Sequence, residues 1–340
     1  MRPFGKLARW RHHGRWKRRS GQGSPLQLPH LSRRLVRPDR VGRTLLIGTS
    51  QTTWRDWLRA ERGRRDLFCL DPADPEHDHL ARAVLLRGDR RVFTRFYGSL
   101  DAQRAPHVLI ATLARALPLL ADDALIQLFA YRETPVLRQA TQLVVELLQP
   151  ERVLAAAGIR VPVDATEVEL AKGFTPNVQQ AQRKAQWLKL REQGEMHEVD
   201  LKAVRVEGAR LMAGTVLDAT TRAAAGLQSA MHAERQGNTL FAVVPYDPEE
   251  VEIGRAMDTA GCSRAVFAHP ETYEGLLCGF ARGRGEDFGT GFIESIDWTS
   301  LRAKILCDAV APAPVQTLRL GALRVDADGN ERGEVRPWQV

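Results

Sequence analysis

Short apolar runs alternate with segments of helical periodicity from residue 44 to about residue 155. Apolar runs bounded by turn residues are typical of strands, and they occur at residues 44–48, 66–70, 91–97, 124–130 and near Val153. Helical spacing falls between them, at residues 54–60 and 108–120 and in the set Val136, Leu137, Ala140, Leu143, Val144 and Leu147. This alternation predicts an α/β fold, with a mostly parallel sheet that has helices on both faces.

The chain changes character after residue 195. A polar, helix-forming stretch at residues 179–193 leads out of the first domain, which we place at residues 44–195. Strand-like runs then follow one another through Gly-rich turns, at residues 273–281, 288–296, 301–307 and 315–325. Strands without intervening helices predict an antiparallel meander and a smaller β-rich domain over residues 196–340, with residues 219–235 as its main helix.

Composition is that of an ordinary globular protein. Hydrophobic residues make up 44% of the 340 residues and charged residues 26%. The most apolar stretch, residues 107–129, is interrupted by Arg115, Asp122 and Asp123, so we expect no membrane span. The N-terminus has no apolar run of the kind that a secretory signal needs. These features predict a cytoplasmic protein that has no membrane partner.

The cysteines give no sign of a disulfide framework or a zinc site. They lie far apart, without a CxxC pair, which suits reduced thiols in a cytosolic core. The four are Cys69, Cys262, Cys278 and Cys307.

Positive charge is concentrated before residue 44. Residues 1–43 hold thirteen Lys and Arg residues against one acid, Asp39, whereas the rest of the chain holds 36 basic and 40 acidic residues. We expect residues 1–43 to be a disordered basic tail and linker. Cations and aromatic rings that interleave can neutralise phosphates and stack on bases, and here they are Arg9, Trp10, Arg11, Arg15, Trp16, Lys17, Arg18 and Arg19.

The tail therefore predicts a nucleic-acid partner, RNA or DNA. Two alternatives remain open for it: a basic arm with a role in solubility, targeting or adhesion to ribosomes, and an organellar transit peptide, which is also rich in Arg and poor in acids.

Three local motifs occur in order along the first domain. The first is LLIGTSQTTWR at residues 45–55, the second LDPADPE at residues 70–76, and the third Phe96-Tyr97-Gly98-Ser99. Further motifs follow at residues 275, 289–297 and 320–324. Together they cover most of residues 44–325, and the chain resembles the polynucleotide 5′-hydroxyl kinases, the family of the messenger-RNA cleavage-factor kinase and the ribosomal-RNA-processing kinases.

The resemblance implies a P-loop-NTPase-like fold in which residues 48–55 correspond to the GxxxxGK[ST] loop. Such a loop holds phosphates with backbone N–H groups, a Lys and a Mg²⁺-binding Ser or Thr. Gly48 matches the opening glycine, but Trp54 stands in place of the Lys and Arg55 in place of the Ser or Thr. The nucleotide-binding positions carried over by the resemblance are Gly48, Thr49, Ser50, Thr52 and Thr53, the last in place of the second glycine.

Loss of the Lys and the metal ligand predicts weak triphosphate binding, because a charge-assisted hydrogen bond contributes about 1.5–3 kcal/mol. Arg55 could supply a cation one residue late, with a differently shaped group. The family's candidate catalytic base corresponds to Cys69 here, and of the motif's acids Asp71 remains. Asp71 either takes part in catalysis or merely ends a strand and begins a turn.

Two further sets of polar residues bear on binding. The family's arginine-bearing lid corresponds to Arg183 and Lys184, which become candidate nucleic-acid contacts unless they are simply part of a solvated helix face. His77-Asp78-His79 lacks a third and a fourth ligand nearby, so we predict no metal site. The motifs of serine hydrolases, dinucleotide oxidoreductases and HExxH metalloproteases do not occur.

Three hypotheses of function follow. The first is a polynucleotide-kinase-like protein without normal ATP-dependent activity, which acts in RNA processing as a nucleic-acid-associated scaffold or binding protein and also has a protein partner. The second is an active 5′-hydroxyl kinase with a rearranged loop, in which Arg55 and Asp71 take part; only this hypothesis requires ATP and Mg²⁺ as cofactors. The third is a binding module whose function lies wholly in the tail.

Overall fold

The computed structural model describes residues 42–61, 63–74, 80–283, 287–308 and 315–335. All eight residues predicted to bind nucleic acid through the basic tail lie outside this range, as do His77, Asp78 and His79. Gly42 and Arg43, at the end of the predicted tail, contact the folded body. The Gly42 amide donates to Glu151 Oε2 at 2.6 Å, and the Arg43 guanidinium donates to the carbonyl oxygens of Ala121 and Leu148.

The first part of the described chain alternates strands and helices. In chain order its strands are β1 (Thr44–Ile47), β2 (Thr52–Thr53), β3 (Leu67–Cys69), β4 (Arg82–Arg87), β5 (Arg90–Phe96), β6 (Leu125–Gln127), β7 (Arg152–Ala156), β8 (Thr166–Val168) and β9 (Ala171–Lys172). Its helices are α1 (Arg55–Glu61), α2 (Pro106–Ala116), α3 (Pro135–Leu148) and α4 (Pro176–Gln193).

Seven of these strands form one sheet in the order β5-β4-β3-β6-β1-β7-β8. The strands from β3 to β8 in that order are parallel, and β4 and β5 add an antiparallel hairpin at the edge. The predicted α/β class with a mostly parallel sheet is confirmed. We did not predict β4, which turns into β5 through two residues, with Gly88 at φ +62°.

Helices cover both faces of this sheet. Side chains alternate between the faces of a strand, so Leu45 and Ile47 of β1 pack with α2 and α3, whereas Leu46 packs on the opposite face with Trp54 and Leu58. Helix α3 begins at a capped end, where the Thr134 hydroxyl accepts the Leu137 amide.

The region after α4 is rich in strands. They are β10 (Glu195–Asp200), β11 (Arg205–Glu207), β12 (Thr215–Val216), β13 (His232–Gln236), β14 (Thr239–Val243), β15 (Arg264–Ala268), β16 (Leu276–Ala281), β17 (Asp287–Asp297), β18 (Arg302–Cys307), β19 (Thr317–Val325) and β20 (Glu331–Glu334). Two helices, α5 (Ala219–Ala224) and α6 (Glu250–Ala260), accompany them. The predicted β-rich C-terminal region is confirmed, whereas its exact boundary at residue 196 stays a prediction.

The strand order of that region differs from the prediction at one strand. The order β10-β18-β17-β16-β19-β11 places β19 beside β16, so the predicted plain meander is wrong for its last strand. Strands β12 to β15 form a separate four-stranded sheet.

The helix predicted over residues 219–235 is also wrong in length. Helix α5 ends at Ala224, and Gly226 follows with φ +73°, a conformation that favours glycine. Residues His232–Gln236 then pair with β14 as strand β13. Helix α6 is longer than α5, and Gly261 caps its C-terminus at φ +63°.

The first sheet and the β-rich region pack closely together. A Cβ atom on Gly98 would lie 2.6 Å from the Cα atom of Gly321, so only glycine fits there. The Phe96 amide donates to Asp287 Oδ2 at 2.7 Å. A shared apolar cluster, which includes Trp187 of α4, fills the junction.

Within the described ranges, no helix is long and apolar enough to cross a membrane.

Candidate functional site

The segment that follows β1 lies at the carboxyl end of the parallel sheet. Residues 48–51 turn away from β1, and β2 then pairs with β9 in antiparallel fashion, with Thr52 opposite Lys172. The Gly173 amide donates to the Gln51 carbonyl at 2.8 Å. The expected strand, loop and helix are therefore present in order, but a two-stranded ribbon is inserted between the loop and α1.

Hydroxyl groups of the segment accept hydrogen bonds from its own backbone. The Thr49 amide donates to Thr52 Oγ1 at 2.9 Å, and the Gln51 amide donates to Thr49 Oγ1 at 3.2 Å. At the start of α1, the Arg55 amide donates to Thr53 Oγ1 at 3.1 Å. Three amides of the segment thus already have acceptors from within residues 49–55.

The indole of Trp54 lies against Gly48. A Cβ atom on Gly48 would be 2.9 Å from Trp54 Nε1 and 3.1 Å from Thr52 Oγ1. Trp54 is 4% exposed and belongs to an apolar cluster with Leu46 and Leu58. Its Nε1 has no hydrogen-bond partner among the described residues, so apolar packing holds the ring in place.

A cavity of about 90 Å³ remains beside the segment. Asp71, Asp74 and Gln127 contribute to its wall, together with Arg55 and Phe174. The Arg55 guanidinium lies 5.7 Å from the centre of the Phe174 ring, as in a cation–π contact. Arg55 Nε is also 3.4 Å from Asp56 Oδ1.

Asp71 follows β3 and lines this cavity. The Ala73 amide donates to Asp71 Oδ1 at 3.0 Å, and Gln127 Nε2 donates to Asp74 Oδ2 at 2.8 Å. Burial raises the pKa of Asp71 to about 7, and the nearby negative charge of Asp74 adds to the effect. Burial also raises the pKa of the Cys69 thiol well above its usual value, so Cys69 holds its proton and cannot act as a base at neutral pH.

A larger cleft of about 480 Å³ adjoins the small cavity, and Ser50 and Asp71 line both. Arg183 lines the cleft and forms a two-pronged ion pair with Glu331, at 2.8 and 3.1 Å. Lys184 Nζ donates to Asn330 Oδ1 at 2.9 Å. Both cations of the predicted lid therefore contact the β-rich region, and their role in nucleic-acid binding stays a prediction.

The site's donors suit few cofactors. Within the part of the chain that the structure describes, no group of three or more His, Cys, Asp and Glu side chains is arranged to hold a metal ion. The segment at Gly48 contains no Lys.

Comparisons with known proteins find likeness in fold only. No protein-family model matches the chain, and no curated protein is a significant match to its sequence. It is similar to a solved structure that describes the extended interface between Pcf11p and Clp1p and the structural basis for ATP loss in a glycine-to-arginine mutant. The two chains are 11% identical, the match covers 83% of this chain and 75% of that chain, and the TM-score is 0.45. A structure of the wild-type Clp1p–Pcf11p complex is also 11% identical, over 85% of this chain and 76% of that chain, with a TM-score of 0.46. At such values neither match supports an argument about the site.

The structure brings the residues predicted for nucleotide binding and catalysis together. Gly48, Thr49, Ser50, Thr52, Thr53, Arg55 and Asp71 all line the small cavity, while Arg183 lies in the adjoining cleft. Gln127, Phe174 and Gln179 also line the small cavity, and no local motif pointed to them. Gln179 Nε2 donates to the Ser50 carbonyl at 2.9 Å, a contact across 129 positions that local patterns do not reveal.

Proposed function

We propose that the chain is a polynucleotide-kinase-like protein without normal ATP-dependent kinase activity, which acts as a nucleic-acid-associated scaffold or binding protein. One observation carries the proposal: the Trp54 ring and the Thr52 hydroxyl occupy the space next to Gly48. In a working phosphate loop that space belongs to the phosphates, which approach the glycine backbone closely.

Hydrogen bonding in the loop supports the same view. The amides of Thr49, Gln51 and Arg55 already donate to hydroxyls of the segment itself. A phosphate would have to displace those acceptors, and the loop offers no Lys to offset the loss. Each charge-assisted hydrogen bond that does not form lowers the binding free energy for the phosphate by about 1.5–3 kcal/mol.

Cavity size supports the proposal independently of charge. Pockets for ligands of drug size measure about 300–1,000 Å³, whereas the cavity beside the loop measures about 90 Å³. A phosphate chain seated against the loop itself would therefore need the β2–β9 ribbon or Trp54 to move.

Thermal melting and a kinase assay test the proposal together. Addition of ATP and Mg²⁺ should leave the melting midpoint unchanged, because only a ligand that binds the native state raises it. A 5′-hydroxyl oligonucleotide should receive no phosphate above background. Product formation that depends on the protein would refute the proposal.

The alternative is an active 5′-hydroxyl kinase with a rearranged loop. The pKa of about 7 at Asp71 favours this alternative, because a general base works best when its pKa lies near the working pH. Arg55 lines the same cavity and would take the role of the missing Lys. On this alternative, Arg55→Ala abolishes ATP binding, whereas Arg59→Ala, one turn later on the same helix and exposed, does not.

Nucleic-acid binding is assigned to the basic tail in this proposal. The support is the charge split, since the chain after residue 43 holds more acidic than basic residues. Deletion of residues 1–41 keeps the contacts of Gly42 and Arg43 with the folded body. The salt dependence of oligonucleotide binding should then fall steeply, because each neutralised phosphate contributes about 0.7 to 0.9 to the slope of log K against log salt. An unchanged slope would exclude binding through the tail.

A scaffold also needs a protein partner, and the proposal includes one.

A further inference from the structure

A second pocket lies where the first sheet, helix α4 and the β-rich region meet. It has a volume of about 250 Å³. Arg82 and Arg91 from the edge hairpin, Trp187 and Lys189 from α4, and Thr290 and Asp308 from the β-rich region contribute to its wall. It shares no lining residue with the cavity at Gly48 or with the adjoining cleft.

Two buried donors in its wall lack an acceptor. Arg82 is 6% exposed, and its Nε has no hydrogen-bond partner among the described residues. Thr290 is 1% exposed, and the same holds for its Oγ1. Most buried polar side-chain atoms in folded proteins have a partner, so two such atoms at one pocket call for an explanation.

Asp308 brings the two donors together. Its Oδ2 accepts from Arg82 Nη2, and its Oδ1 accepts from the Thr290 amide at 2.8 Å. Both carboxylate oxygens are thus engaged, and the Arg82 charge balances that of Asp308. Arg91 and Lys189, both exposed, add two further positively charged side chains to the wall.

We propose that this pocket binds a phosphate group, with Arg82 Nε and Thr290 Oγ1 as direct donors and Arg91 and Lys189 as attracting charges. A phosphate has several strong acceptor oxygens and a negative charge, which match two orphan donors in a cationic pocket. A volume of about 250 Å³ lies below the range for ligands of drug size, about 300–1,000 Å³, and suits a small anion with some water. The inference does not depend on the proposed function.

Calorimetric titration with sodium phosphate, against sodium chloride at matched ionic strength, measures the binding. We expect the native protein to bind phosphate and Thr290→Val to bind it about tenfold more weakly, because a hydrogen bond to a charged group is lost while the side chain keeps its shape. Removal of an orphan hydroxyl should not impair folding. Equal affinity of Thr290→Val and native protein, or no phosphate binding by native protein, would overturn the proposal.

The exposed cations give a second comparison, which does not touch buried residues. Arg91→Gln should weaken phosphate binding several-fold, whereas Arg90→Gln should not, because successive residues of a strand point to opposite faces and Arg90 does not line the pocket. Equal effects of the two variants would indicate general charge attraction only and would contradict a site.

The phosphate can belong to a free anion or to a polynucleotide backbone. Titration of native protein and Thr290→Val with a short single-stranded oligonucleotide separates the two. A tenfold difference with the oligonucleotide as well supports a backbone phosphate, whereas a difference with inorganic phosphate alone supports a free anion.

Discussion

Asp71 should make the stability of the folded protein depend on pH. Its pKa is raised from 3.8 to about 7 in the folded protein. The native state therefore retains this proton over a pH range in which the unfolded chain has lost it. The resulting stabilisation is fully present below pH 3.8 and is lost as the pH rises to about 7. Above pH 7, Asp71 is ionised next to Asp74 in the native protein, and this stabilisation is gone.

The size of this effect follows from the shift. A pKa change of one corresponds to about 1.4 kcal/mol, so the change from 3.8 to about 7 limits the effect on the free energy of unfolding to about 4 kcal/mol. The Asp71 side chain is partly exposed, and solvent screening reduces the expected value to about 2 kcal/mol. Asp71→Asn removes the charge but keeps an oxygen for the Ala73 amide.

Urea unfolding followed by tryptophan fluorescence measures the effect. At pH 8, Asp71→Asn should raise the free energy of unfolding by about 2 kcal/mol, whereas near pH 3 it should change it little, because Asp71 is then protonated in both states. Asp328→Asn, at an exposed turn, is the matched control for the loss of one carboxylate. The reasoning fails if Asp71→Asn has the same effect at both pH values or destabilises the protein at pH 8.

Two further predictions concern packing and buried charge. Trp54→Ala should lower the free energy of unfolding by about 3–5 kcal/mol in urea titrations, because the ring is buried in an apolar cluster; Trp57→Ala, at a half-exposed neighbour, should cost less than half as much. Arg319→Met should lower the free energy of unfolding by about 3–5 kcal/mol, since it leaves the buried carboxylate of Asp287 without its closest cation. The double variant with Asp287→Asn should recover part of that stability. A double variant no more stable than Arg319→Met would contradict the argument.

Periodicity predicted the elements whose signal is local. Strand β1 and helix α3 occur within two residues of their predicted bounds, because apolar runs and helical spacing record which face of an element is buried. Strand β4 was missed, although Gly88-Asp89 between two apolar runs is a known signal for a two-residue hairpin.

Features set by tertiary contacts were beyond local patterns. The alanine-rich stretch after residue 219 favours a helix by propensity, yet pairing with β14 makes its end a strand. Likewise, the sequence identifies Trp54 in the place of a Lys, but the position of its ring against Gly48 depends on Leu46 and Leu58, which pack around it.

The two proposed phosphate-binding elements should differ in their response to salt. Several cations of the described body form ion pairs, as in Arg183–Glu331, Arg191–Glu294 and Arg319–Asp287. Because the chain after residue 43 holds more acidic than basic residues, we assign the long-range attraction of a polyanion to the tail. Loss of the tail removes charge and must reduce the salt slope of oligonucleotide binding. Thr290→Val removes no charge, so it should lower affinity equally at every salt concentration. A variant that changed both affinity and slope would show that the pocket and the tail bind as one surface.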